Sequence, residues 1–493
     1  MSMAPSGSHQ VFLDTRLAGL RSVNAGANIS ATDFYYSFWG PAAVAPDQLR
    51  QRVKFALSEI FVISLNDPNV DVRGAANYYD MLGIHAFANY RALLEQVSLH
   101  PMMGRYLTHL ANQREDTTTG RSPDENYARE VMQLMSLGLY ELNPDGTRRT
   151  DAAGQPIPTY DADDISGLAR VFTGFSWYSP TPSQQTFFGQ NRDLASTITP
   201  MVAYPQFHSL SAKVFLTTNI PASTTSNPTG DLRIALDAIF NHPNTGPFVS
   251  RQLIQRLVTS NPSPGYVARV AAVFANNGSG TRGDLGAVVR TILLDPEARD
   301  TTVVSPIAFG KLREPLIRMT NWMRAFGANS VSGSWLIGST SSNTSLSQSP
   351  LAANSVFNFF RPGYIPPNTR LGGINMVAPE FQIVDEVSVA GYFNTMQTTI
   401  NSGIGTGNDV TTTYAAETAI ADDADALLDR INLLLLYGQM TPGLRTQVRT
   451  AVIAVTIPAA TPTNAATIAT ARLNRAKLAV FMVMTAPEYL AQR

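Results

Sequence analysis

Carboxylates, imidazoles and one lysine are the groups in this chain that could move a proton or hold a ligand, and their spacing narrows the choice. Ser122-Pro123-Asp124-Glu125 has the form of a capping box with proline at the first helical position, and Gly138 is a natural stop, which predicts a helix over 122–138. On a wheel of 3.6 residues per turn Asn126, Glu130 and Gln133 share a face, with Arg129 beside it. Tyr127, Val131 and Leu134 form an apolar stripe on one flank, and Met132 and Met135 form another. A narrow polar stripe between two apolar ones predicts a helix packed on both sides, with the stripe lining an internal cleft. Desolvation in such a cleft raises a carboxyl pKa, which suits Glu130 to general-acid chemistry. The competing reading is that the stripe faces water or satisfies buried backbone groups.

Glu125 makes no pair with Glu130, because five residues place them about 140° apart around the helix. It is better used in the cap or against Arg129 at i,i+4. A second carboxylate must come from Asp163 or Asp164, whose other use is to cap the helix that starts there. Glycosidic cleavage needs two carboxyls about 5–5.5 Å apart for retention or about 6.5–9.5 Å for inversion. Glu130 with Asp164 or Asp163 is therefore the candidate catalytic set.

The histidines are His9, His85, His100, His109, His208 and His242, and no pair has the H-E-x-x-H spacing of a zinc site. His100 and His242 each precede a proline at a helix boundary, where a structural role is the default. His109 comes one loop before the capping box, placed to meet Glu130. His208 shares an irregular stretch with Lys213. No metal site is assigned; His208, Glu130 and an aspartate are the alternative set for one. Trp177, Tyr178, Phe187 and Phe188 could stack sugar rings or could close a core. The candidate substrate-binding set is Asn126, Arg129, Gln133, Trp177, Tyr178, His208 and Lys213. Gly278-Ser279-Gly280-Thr281-Arg282-Gly283 satisfies G-x-G-x-x-G, but a helix precedes it where a dinucleotide site needs a strand. G-x-S-x-G and Walker patterns are absent from the sequence. No cofactor can be named.

The elements that must position these groups are mostly helices. Residues 1–46 read as a loop-rich N-terminal segment. Residues 47–326 read as the main helical region, with helices near 46–65, 74–87, 90–97, 101–110, 122–138 and 161–174, a succession of helices from 231 to 294, and one over 306–326. Turn residues between Tyr140 and Tyr160 predict a protruding hairpin. Residues 175–228 lose helical period and read as a long excursion with short strands, and loops of that length are often functional. Residues 327–349 read as a Ser/Gly linker. Residues 350–493 carry further helices, near 350–359, 378–400, 418–437, 441–455 and 465–484, expected to pack on the same body. The predicted class is mainly α, a multi-helical globular array with small β-hairpin excursions and long loops.

Composition narrows the partners. The chain has 493 residues, a formal net charge of −1, 15% charged residues and no cysteine. Disulfides, thiolate metal sites and a cysteine nucleophile are excluded. Near-neutral charge with no basic run provides no field for nucleic acid. Lys54, Lys213, Lys311 and Lys477 are its lysines, so arginine carries most of the positive charge. No apolar run approaches the roughly 20 residues of a membrane span, and no signal peptide is read at the start.

Leu49-Arg50-Gln51-Arg52-Val53 followed by 56–62, His100-Pro101-Met102-Met103, 123–130 and Ala169-Arg170-Val171-Phe172-Thr173-Gly174 resemble domain of unknown function family 1800. Asn241-His242-Pro243, Gln252-Leu253-Ile254, 310–315 and Pro487-Glu488-Tyr489-Leu490 extend the likeness from residue 47 to the end. The resemblance implies a bacterial protein exported out of the cytoplasm, often encoded beside a second exported protein that would be its partner. The family often shows His-Asp and then Lys a few residues on; here Ser209 follows His208, so any role of that aspartate is in doubt. The leading expectation is an envelope-associated structural or binding protein. The alternatives are a hydrolase or lyase acting on a polysaccharide by carboxylate acid/base chemistry, and a metal-dependent enzyme.

Overall fold

Short polar side chains set most of the helix starts. Asp71 accepts from the Gly74 amide ahead of Val72–Ile84, Asn89 from Arg91 ahead of Tyr90–Leu99, and Asp284 from Ala287 ahead of Leu285–Leu294. Each satisfies an amide that has no partner within its own helix. The computed structural model describes residues 3–300, 302 and 307–492. It is mainly α, and among the described residues the strands form four two-stranded antiparallel ladders. Among the described residues no helix is long and apolar enough to cross a membrane.

The chain divides into two compact units, the first of residues 1–34, 47–309 and 351–362, the second of 35–46, 310–350 and 363–493. In the first, Pro264–Ala275 packs between Thr245–Leu257 and Leu285–Leu294, while Val72–Ile84 packs against His9–Val23 and Gln48–Ser58. Ala162–Val171 lies on the Lys213–Phe215 strand so closely that a Cβ on Gly167 would come within 1.8 Å of the Val214 carbonyl oxygen. In the second, Ala465–Met484 is the central helix, with Pro442–Ala454, Ala424–Leu436, Ala415–Ala419 and Glu386–Ser402 around it.

Several elements differ from expectation. Residues 1–46 are helical over His9–Val23 and Ala31–Val44. The first buries only His9 and Leu13, and the second carries Pro41 inside it, so neither shows a clean apolar stripe. One crossing between the units falls at 309/310, and the expected linker 327–349 is packed within the second unit. Trp335, Ile337, Leu346 and Gln348 are buried there, and Thr340 donates to the Gln348 carbonyl at 2.6 Å. Small polar side chains make that stretch look flexible in sequence, yet the Thr340 and Ser349 hydroxyls bond to its backbone. Residues 350–359 form turns. The helix expected from Pro306, itself outside the described residues, runs over Pro315–Ala325. The hairpin between Tyr140 and Tyr160 is present, with bridges Tyr140 to Pro158 and Leu142 to Arg148.

Candidate functional site

The Glu130 helix starts later and ends differently than its sequence predicts. Asn126–Glu130 is α-helical, and Val131–Ser136 continues as a π-helix. The capping box of Ser122 and Glu125 does not form, because 122–125 lie outside the helix. Asp124 caps instead, accepting from the Asn126 amide at 2.9 Å and from the Thr108 hydroxyl at 3.0 Å. Asn112 pins the Asp124 backbone through bonds of 2.9 and 3.1 Å. In the π segment hydrogen bonds run i→i+5, so each residue advances less around the axis than on a 3.6 wheel. Gln133, which is half-buried, is therefore rotated off the position that the wheel shared with Asn126 and Glu130. Interrupted helices of this kind are frequent at functional sites.

Glu130 is 8% exposed, and its Oε2 is sealed without a hydrogen-bond partner. Burial raises its carboxyl pKa, and only the Arg129 charge works against that. Arg129 is exposed and reaches Glu125 at 3.5 Å. The Tyr160 hydroxyl is also buried and unpartnered. Desolvation and then the Glu130 charge push the Tyr160 phenol up to about 12. Desolvation, Asp67 and Glu130 do the same to Tyr106. These two phenols were not legible as site residues, since nothing in their sequence neighbourhood links them to residue 130. A carboxyl whose neutral form is favoured by burial suits proton delivery, but neither aspartate expected as its partner bonds to it. Asp164 spends Oδ1 on the Leu216 amide (2.8 Å) and Oδ2 on the Asp161 amide (3.0 Å), and Asp163 is exposed. Both belong to the start of Ala162–Val171, where Asp161 completes the capping box. His109, expected near Glu130, stacks on Tyr127 at 3.9 Å and bonds the Ser98 carbonyl at 2.9 Å. Burial lowers its pKa to about 4, so it is neutral. Asn126 reaches Thr108 at 3.4 Å.

His208 and Lys213 come together as expected, around a carboxylate that sequence reasoning missed. Lys213 Nζ lies 2.9 Å and His208 Nε2 lies 3.1 Å from the same Asp231 oxygen. His208 Nδ1 is 2.8 Å from the Thr173 carbonyl, and Lys213 donates to the Ser209 carbonyl at 2.8 Å. All three side chains are buried, His208 completely. Gly174 sits at φ +76°, and a Cβ there would lie 2.8 Å from His208 Cβ, so glycine lets the two backbones close. Asp231 lies in the first turn of Pro228–Asn241, where an acidic residue near a helix start is expected for capping and dipole reasons alone. That ordinary explanation hid it.

The runs that flank Glu130 and His208 are also those that carry a family likeness. The family model described as "Protein of unknown function (DUF1800)" matches residues 10–491. The chain belongs to this family. No curated protein and no solved structure matches it. In this DUF1800 member, Ser209 occupies the position after the histidine and donates to Glu115 at 2.8 Å, while Asp231 brings a carboxylate to His208 from another helix.

The aromatic set does not form an open platform in this family member. Trp177 is buried, with the Arg192 guanidinium 4.2 Å and the Arg105 guanidinium 5.6 Å from its ring centre. Phe187 is fully buried and stacks on Phe207 at 3.8 Å; Tyr178 and Phe188 are exposed. Among the described residues no group of three or more His, Asp or Glu comes together to hold a metal ion. His208, Glu130 and an aspartate therefore do not assemble as the alternative set required. His100 and His242 act structurally: their Nδ1 atoms accept from the Met102 and Asn244 amides at 3.2 and 3.1 Å.

Proposed function

We propose that this DUF1800 chain is an extracytoplasmic, envelope-associated binding or structural protein. The observation that carries the reading is the commitment of its chemistry-bearing side chains to internal bonds. Asp164 holds two backbone amides, and the side chains of His208 and Lys213 converge on Asp231 inside the first unit. A two-carboxylate glycosidase needs a pair of acids across a substrate, and Glu130 has only Arg129 acting on it. Export and the partnership with a neighbouring exported protein are expectations of the family resemblance. One observation favours the second reading, a hydrolase or lyase: the sealed, unpartnered carboxyl of Glu130 is the kind of acid that proton-transfer chemistry uses.

Reducing-end release from a panel of envelope polysaccharides, compared between the parent and Glu130→Gln, separates the two. The expected result is no difference between them, with the parent co-eluting in gel filtration with the neighbouring exported protein. Release that disappears in the folded Gln variant would overturn the binding reading in favour of the enzyme.

A further inference from the structure

In the second unit Arg318 and Arg313 are buried, and among the described residues neither is ion-paired with an acid. Arg318 is 5% exposed, its Nε donates to the Arg313 carbonyl at 2.7 Å, and its guanidinium lies 4.6 Å from the centre of the Tyr392 ring. Arg313 is 7% exposed, with its guanidinium 4.6 Å from the centre of the Tyr489 ring. Among the described residues neither forms an ion pair; beyond backbone carbonyls, Arg318 bonds the Tyr392 side chain and Arg313 the Tyr489 side chain, so phenols and no carboxylate face them. The acids Glu380 and Glu314 pair with Lys311, at 2.9 and 3.7 Å, and Gln348 donates to Glu314 at 2.7 Å. Burying a guanidinium without a carboxylate is costly. Aromatic faces recover part of that cost, and an anion would recover more.

A cavity of about 290 Å³ opens on Arg318. Its walls are apolar, with Leu346, Phe381, Val389, Phe393 and Leu490 among them. Ser347 also lines it, and the Ser347 Oγ is sealed from water without a hydrogen-bond partner. Ser347 holds φ at +56°, a backbone conformation that a non-glycine residue adopts only under constraint. An apolar hollow with a few convergent, unsatisfied polar groups is the usual form of a small-molecule site, and this one is near the lower end of the common size range, about 300 Å³. Its polar side chains are Arg318, Ser347, Ser388 and Tyr392, and of the hydroxyls Ser388 donates to the Asp385 carbonyl and Tyr392 to the Met484 carbonyl. Leu312, Pro315, Pro487 and Leu490, from two of the runs that carry the family likeness, line it as well.

We propose that this cavity binds a small amphiphilic carboxylate, a medium-chain fatty acid or similar, with its head on Arg318 and Ser347 and its alkyl body against the apolar walls. Arginine fits the head because its planar donors match a carboxylate bidentately. The apolar walls select against short, fully hydrated acids such as acetate, which bury too little surface to hold. This inference rests on different residues from the reading above and stands whether Glu130 is catalytic or not.

Calorimetric titration of the full chain with decanoate, held below its micelle concentration, tests it against two controls. Decanol keeps the tail and loses the charge; acetate keeps the charge and loses the tail. Saturable binding of decanoate, at least tenfold tighter than decanol and with no heat from acetate, is the expected result. Arg318→Met should reduce decanoate affinity at least tenfold and leave decanol unchanged. Val389→Trp, at a half-exposed position on Glu386–Ser402, should block both by filling the cavity from its rim. If Arg318→Met does not fold by circular dichroism, Val389→Trp and Ser347→Ala decide the matter. Equal affinity for decanol and decanoate, no binding of decanoate, or undiminished binding in folded Val389→Trp would each overturn the proposal.

Discussion

The Asp231 knot and the Glu130 helix belong to the same compact unit and bury ionisable groups to a similar degree, yet they treat them in opposite ways. At Asp231 one carboxylate faces a lysine and a histidine, and the Thr173 and Ser209 carbonyls take the remaining donors. At Glu130 a carboxyl oxygen is sealed with nothing to bond. A buried charge with full partners makes architecture: removing one member strands the others. A buried carboxyl oxygen without a partner instead favours the neutral acid over the charged one. Burial alone therefore separates nothing; the presence of partners does.

The largest effect expected from this contrast is at the knot. Asp231→Ala would leave Lys213 and His208 buried without their carboxylate and should cost about 3–5 kcal/mol, read as a loss of midpoint in urea unfolding. A cost below about 1 kcal/mol would show that water reaches the pair, as it does in exposed ion pairs.

Glu130 sharpens the comparison in the other direction. Burial raises its folded pKa above the ordinary 4.5. The native state then keeps a proton that the unfolded chain has already released. The stability this gives below the unfolded value is lost as pH rises through the folded one. Glu130→Gln should therefore be more stable than the parent by about 1 kcal/mol near pH 8 and no more stable near pH 4. Thermal melts at the two pH values check this, and a destabilised Gln variant at the higher pH would mean that the carboxylate has a partner in solution.

The smallest effects should fall on the two aspartates that sequence spacing offers as the second acid. Asp164→Ala removes a cap and the bond to the Leu216 amide and should cost about 0.5–2 kcal/mol. Exposed Asp163→Ala should stay within about 0.5 kcal/mol. If Asp163 proved the costlier of the two, the assignment of cap and bystander would be reversed.

What was legible in the sequence was whatever depends on neighbours along the chain. The helical class, the helix start at Asp161 and the hairpin after Tyr140 follow from capping residues, apolar period and turn residues, all of them local. The burial of Glu130 was also legible, because apolar residues on both flanks of one helix predict packing on both sides. The π-helix after Glu130 was not. Local propensity does not distinguish i→i+5 from i→i+4 bonding in a run such as Val131–Ser136, and that shift undid the placement of Gln133. The helices at 9–23 and 31–44 were missed for a related reason: with little buried surface or an internal proline, their pattern carries no stripe.

Partnership was decided by tertiary structure alone. Asp231 meets His208 and Lys213 only because a helix start, a loop and a short strand converge, and Tyr160 nears Glu130 only through the hairpin that separates them in sequence. The same holds for Arg318, whose surroundings come from segments more than 150 residues apart. Sequence pattern determines which residues must leave water, since that depends on their apolar neighbours along the chain. Which charge finds a partner once there depends on contacts between distant segments, and only the fold supplies those.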